Sequence, residues 1–184
     1  LVYLVSGPKD DAAAAAALVL LESGLLGDGV RLATDGHPEP TGDENLFADL
    51  IAGSVDHRHR GGSGLPIALA DESMAGEEPV ILVVPVSEGS WREHVQQVLA
   101  SNPTRFLVLA TGDAAAPQQE PPRWQRLLLA DAPATAPTVE EISQGLASFV
   151  ASGARVSLAD RVSGRVLMLS EGRTDPLAVA GDLA

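Results

Sequence analysis

Cysteine is missing from all 184 residues. That excludes disulfides, a thiolate nucleophile and every zinc site built on sulfur. Aromatic residues are scarce, with three Phe, two Trp and one Tyr, so the core that 45% hydrophobic residues can build is aliphatic. Cations are few as well: 12 Lys and Arg stand against 25 Asp and Glu, for a formal net charge of −13. No basic stripe exists to displace phosphate counterions, which argues against nucleic acid and against docking on an anionic membrane. An acidic surface suits a cationic or neutral small-molecule ligand, and solubility is its plainer role. No apolar run approaches the ~18 residues of a membrane span. Neither an initiator Met nor a basic leader precedes the first apolar run, so the expectation is a cytoplasmic chain without signal peptide, either trimmed at its start or excised from a larger parent.

What is present is an alternation of short apolar runs and helical patterns. LVYLV (1–5) reads as a strand covered on both faces, because it is apolar without interruption. Asp10 and Asp11 head DAAAAAALVLLE, a helix over 11–22 on alanine propensity, and the two aspartates are expected to cap its amides. A second strand is expected at 30–34. Thr41 or Asp43 can cap ENLFADLIAGSV, whose Leu46, Phe47, Leu50 and Ile51 share a face. HRHRGGSGLP opens a loop-rich insertion over 56–79. Strands follow at 79–86 and 105–110, flanking a helix at 91–100. Residues 124–129 form a short element of undecided type. Thr138 and Glu141 form a capping-box pattern for a helix that Gly153 ends. ARVSLADRVSGRVLMLS gives two strands around Ser163-Gly164, an edge hairpin, with a loosely held tail from 171. This order predicts a single α/β domain over 1–170, with a mostly parallel open sheet, helices on both faces and an antiparallel edge.

Ligands of such sheets bind beyond the carboxyl ends of the strands, which singles out SGPKDD, PVSEGSWREH and ATGD. At SGPKDD, Ser6, Gly7 and Lys9 precede a helix N-terminus whose amides can hold an anion; the alternative is an ordinary strand-to-helix turn. His57 and His59, two apart beside Asp56, are candidate metal ligands or part of a solvated cationic loop. His94 lies one turn into the helix after the central strand, with Glu88 and Glu93 near it in sequence. An imidazole beside carboxylates is more basic and can act as base or ligand; otherwise it is a surface histidine. No nucleophile elbow is present.

Two segments, in order, resemble the class II chelatases of tetrapyrrole biosynthesis, the sirohydrochlorin cobalt- and ferrochelatase family. LVYLVSGPKDDAAAAAAL follows that family's strand, Gly turn, basic-acidic pair and Ala-rich helix, with Gly7, Lys9 and Asp10 at the matching positions. VILVVPVSEGSWREHV supplies Val83, Val84, Pro85, Gly89, His94 and Val95 in the family's order, and RFLVLATGD resembles the next strand. The resemblance covers about a third of the chain. It implies that His94, with Glu88 or Glu93 assisting, binds Co²⁺ or Fe²⁺ and takes a pyrrole proton. The chain departs from the family at Ser6, which stands where the first metal-handling histidine belongs. A hydroxyl cannot replace an imidazole as ligand and base; His57 and His59 are the candidate substitutes.

Two alternatives stand beside the chelatase reading. The Ser6 position favours a non-catalytic α/β binding or structural module, such as a subdomain of a larger enzyme. SEGSWREH loosely resembles the segment of TIR-like domains that carries a glutamate, and some of those cleave NAD. Homodimerisation is compatible with the acidic α/β composition, and no interface stripe stands out.

Overall fold

A computed structural model describes residues 1–70, 78–114, 137–161, 164–170 and 173–176. A seven-stranded sheet runs in the order β2-β1-β3-β4-β5-β6-β7. The strands are β1 (Val2–Leu4), β2 (Leu32–Thr34), β3 (Val80–Pro85), β4 (Phe106–Gly112), β5 (Arg155–Asp160), β6 (Arg165–Ser170) and β7 (Arg173–Pro176). The first five are parallel, and β6 and β7 extend the sheet antiparallel. The parallel strands β1 and β2 are buried at every position, which is why they read as unbroken apolar runs. The expected edge hairpin is β5–β6. Residues 173–176, expected in the tail, instead add a strand, because their backbone pairs with 167–170.

Among the described residues five α-helices cover the sheet: α1 (Asp11–Glu22), α2 (Glu44–Gly53), α3 (Leu65–Ala70), α4 (Trp91–Leu99) and α5 (Val139–Ala151). One face packs Ala13 and Ala17 of α1 with Phe47 and Ile51 of α2 over Val2, Leu4, Leu32 and Val83. The opposite face packs Leu65 and Ala68 of α3, Trp91, Val95 and Leu99 of α4, and Ile142, Leu146 and Phe149 of α5 over Tyr3, Leu82, Val84 and Val108. The buried positions recur at three- and four-residue steps, so each helix presents one stripe. The Thr138–Glu141 capping box forms, and Asp43 rather than Thr41 caps α2. Asp10 does not cap α1 with its side chain; its carboxylate is held elsewhere, as described below. Residues 124–129 and 71–77 lie outside the described set.

Thr41 has another role. It bridges antiparallel to Leu32, with both backbone bonds made at 2.9 and 3.0 Å, while Thr34 and His37 exchange a second pair. The outer edge of β2 is thereby closed by its own chain. No helix among the described residues is long and apolar enough to cross a membrane.

The order β2-β1-β3-β4-β5 is that of a flavodoxin-like doubly wound sheet. The order in which strands are added reverses between β1 and β3, so the topological switch point lies at the carboxyl ends of those two parallel strands. One connection crosses there. Because α2 belongs to one face and α3 to the other, residues 54–64 carry the chain from face to face beside the carboxyl end of β2.

Candidate functional site

Asp35, the residue after β2, organises this end of the sheet. It is fully buried. Its Oδ1 accepts from the Tyr3 hydroxyl at 2.7 Å and the Gly64 amide at 3.2 Å, and its Oδ2 from the amides of Ser6 and Gly62, both at 2.8 Å. Four donors match the lone-pair capacity of a carboxylate, and hydrogen bonds to an ionised acceptor offset its desolvation. Tyr3 bears the consequence. Burial first, then the negative charge of Asp35 and the hydrogen bond to it, push its hydroxyl far above the ordinary tyrosine range.

The crossing segment is shaped to meet Asp35. Gly62 has φ +83°, a conformation that other residues adopt only with strain. A side chain on Gly64 would come within 2.7 Å of the Tyr3 Oη. Arg58 anchors the segment on the α1 side, its Nε donating to Asp10 at 2.6 Å and its Nη2 to Asp11 at 2.6 Å. Asp10, nearly fully buried, also accepts from the Gly7 amide at 3.1 Å. Its hydrogen bond to Arg58, followed by the attraction of its charge, raises the guanidinium above its usual value. Arg60 adds a bond to the Asp35 carbonyl at 3.2 Å.

On the α4 side the His94 Nδ1 lies 3.0 Å from the Gly61 carbonyl. A carbonyl only accepts, so Nδ1 is the donor, and in the neutral ring it is Nε2 that bears the lone pair. Trp91, fully buried, donates its indole N–H to the Ser87 carbonyl at 3.0 Å. The Ser87 hydroxyl donates to the Pro8 carbonyl. The loops after β1 and β3, which border the switch-point crevice, are thus joined directly to each other.

The residues singled out by sequence are distributed across this region. Ser6 is fully buried, its amide on Asp35 and its Oγ without a hydrogen-bond partner among the described residues. The Gly7 amide is held by Asp10. The amides of Ser6 and Gly7, candidates for an anion, therefore face carboxylates of the same chain. Lys9 is exposed with φ +57°. Gly89 lies close to the Trp91 ring, where a Cβ would come within 2.9 Å of Cδ1. Glu88 and Glu93 are exposed, and Glu88 approaches Arg92 at 3.7 Å. His57 lies against the Gly36 backbone with its Nδ1 buried and unpartnered among the described residues. His59 is exposed, its ring centroid 6.3 Å from that of His57. Among the described residues no group of three His, Asp or Glu side chains converges as a metal-binding cluster.

Sequence reasoning missed Asp35, Tyr3, Arg58 and the glycines 61, 62 and 64. Asp35-Gly36 reads as a turn signal, and HRHRGGSG as a break between elements. The available signal was the coincidence of a carboxylate just past a buried strand with a glycine run able to bring amides to it. Comparison with family models, with curated proteins and with solved structures finds no match for this chain.

Proposed function

We propose that the chain is a non-catalytic α/β binding or assembly module. One observation carries this reading: the switch-point crevice, where a doubly wound sheet takes its ligand, is occupied by the chain itself. Ser87 is bonded to Pro8, Trp91 fills the space beneath, and the amides of Ser6, Gly62 and Gly64 converge on Asp35. A carboxylate with all its lone pairs engaged and amides already paired offer little to an incoming anion.

The chelatase reading is favoured by a different observation, the bond between His94 Nδ1 and the Gly61 carbonyl. Metal-binding histidines commonly donate their second ring N–H to a carbonyl, which fixes the tautomer and raises basicity. In that reading His94 Nε2 receives Co²⁺ or Fe²⁺ as substrate and takes a pyrrole proton from the tetrapyrrole. Glu88 and Glu93 reach the solvent there rather than a buried ligand set.

Metal titration and sirohydrochlorin metalation, followed by absorbance, separate the two in wild type and His94→Ala. The module reading expects no metalation and the same Co²⁺ and Fe²⁺ affinity in both proteins. Metalation by wild type that disappears in His94→Ala overturns it.

A further inference from the structure

The outer surface of the α1–α2 pair combines two features that the fold does not use. The first is apolar. Between the two helices lies a hollow of about 190 Å³ lined by Leu18, Leu21, Phe47 and Ala48, with Glu22 and Glu44 also on its wall. That volume is several times the ≈30 Å³ share of one water, enough for one aliphatic or aromatic side chain. The two most exposed large apolar residues described, Leu25 at 82% and Val19 at 67%, lie on α1 or just beyond it.

The second feature is charge of one sign. α1 and α2 carry Asp11, Glu22, Glu44 and Asp49 and no Lys, Arg or His. Asp11 is neutralised by Arg58, whereas Glu22, Glu44 and Asp49 have no ion-pair partner among the described residues. Glu22 stands in the last turn of α1, where no basic residue balances it. A carboxylate at a helix C-terminus opposes the helix dipole. Among the described residues no cation relieves that position, and a cation from outside would.

We propose that the α1–α2 groove docks a basic amphipathic helix of a partner protein. One apolar side chain of that helix fills the hollow, and flanking Lys or Arg meet Glu22 and Glu44. This is helix-in-groove recognition, in which an apolar stripe supplies affinity and the polar flanks supply register. A lipid surface fits less well, because an anionic headgroup layer would face the same unpaired carboxylates. The proposal rests on the reading of the chain as a binding module and names where that module binds.

The test uses the full chain and a synthetic Leu/Lys peptide of about 18 residues, roughly five helical turns, with its leucines on one stripe. Isothermal titration is expected to show binding that weakens with salt, and a scrambled peptide of equal composition should not bind. Ala48→Arg, at an exposed helix position on the groove wall, should weaken binding at least about tenfold with an unchanged circular dichroism spectrum. The double charge reversal Glu22→Lys/Glu44→Lys should abolish it. Equal binding of the scrambled peptide, or unaltered binding by Ala48→Arg, overturns the proposal. So does a dimer of the chain alone that Ala48→Arg dissociates, since the occupant is then a second copy. The metalation assay reads a different end of the molecule and is unaffected by either outcome.

Discussion

Tyr3 and Asp35 show how much a single pair can hold. The Tyr3 hydroxyl is one of four donors on a buried carboxylate, so Tyr3→Phe removes a charge-assisted bond and is expected to cost about 1.5–3 kcal/mol at neutral pH. The pair also sets a dependence on alkaline pH. The unfolded tyrosine ionises near pH 10, whereas burial and Asp35 keep the folded one protonated well beyond that. Its contribution is complete below about pH 10 and is lost as pH rises further, because the unfolded state then binds fewer protons than the folded state. The stability of wild type should therefore fall above about pH 10 more steeply than that of Tyr3→Phe, by up to about 1.4 kcal/mol per pH unit. Urea unfolding at several pH values checks this. Tyr3 is the only tyrosine, so its near-ultraviolet tyrosinate absorbance should appear together with unfolding rather than before it.

At the scale of elements, the crossing segment 54–64 depends on few ties. Arg58 to Asp10 and Asp11, Arg60 to the Asp35 carbonyl, His94 to Gly61, and Asp35 to Gly62 and Gly64 account for its described hydrogen-bond anchoring beyond the local turns. Arg58→Ala removes the tie on the α1 side and leaves the nearly buried Asp10 with the Gly7 amide. Hydrogen exchange at Gly62 and Gly64 is expected to quicken by about tenfold or more while the strand amides of β3 and β4 keep their protection. Uniform acceleration through the whole sheet would mean that the segment does not open on its own. This segment is also where sequence reasoning stopped. The helices were legible because each carries a periodic stripe, such as Trp91, Val95 and Leu99 in α4. Residues 54–64 have no period, and their order comes from contacts to Asp35, 27 and 29 positions before Gly62 and Gly64.

For the whole molecule, the α/β class and the hairpin edge followed from the alternation of elements, because continuous apolar runs such as VILVVP fit strands buried on both faces. The closed switch point did not follow from it. The place of His94 past β3 is legible in the sequence, whereas what its ring holds, the Gly61 carbonyl, depends on a long-range approach that no local pattern encodes. The charge of −13 acts at this scale too. Like charges on one compact body repel, and added salt screens them. Raising NaCl from low concentration to ~0.5 M should therefore raise the thermal midpoint, with about 1 kcal/mol corresponding to roughly 2–4 °C for a chain of this size. A midpoint that falls with salt would place the exposed ion pairs, such as Arg161–Asp113, ahead of the overall repulsion.

The closed margin of β2 has a consequence for how copies of this chain can polymerise. Leu32 and Thr34 already exchange their outward backbone bonds with Thr41 and His37, so that side of the sheet cannot template a further strand. Among the described strands, the β7 side is the one left for sheet-to-sheet joining. Two molecules meeting there would present only their sealed β2 margins outward, and growth by strand addition would terminate at the pair instead of running on into a fibril.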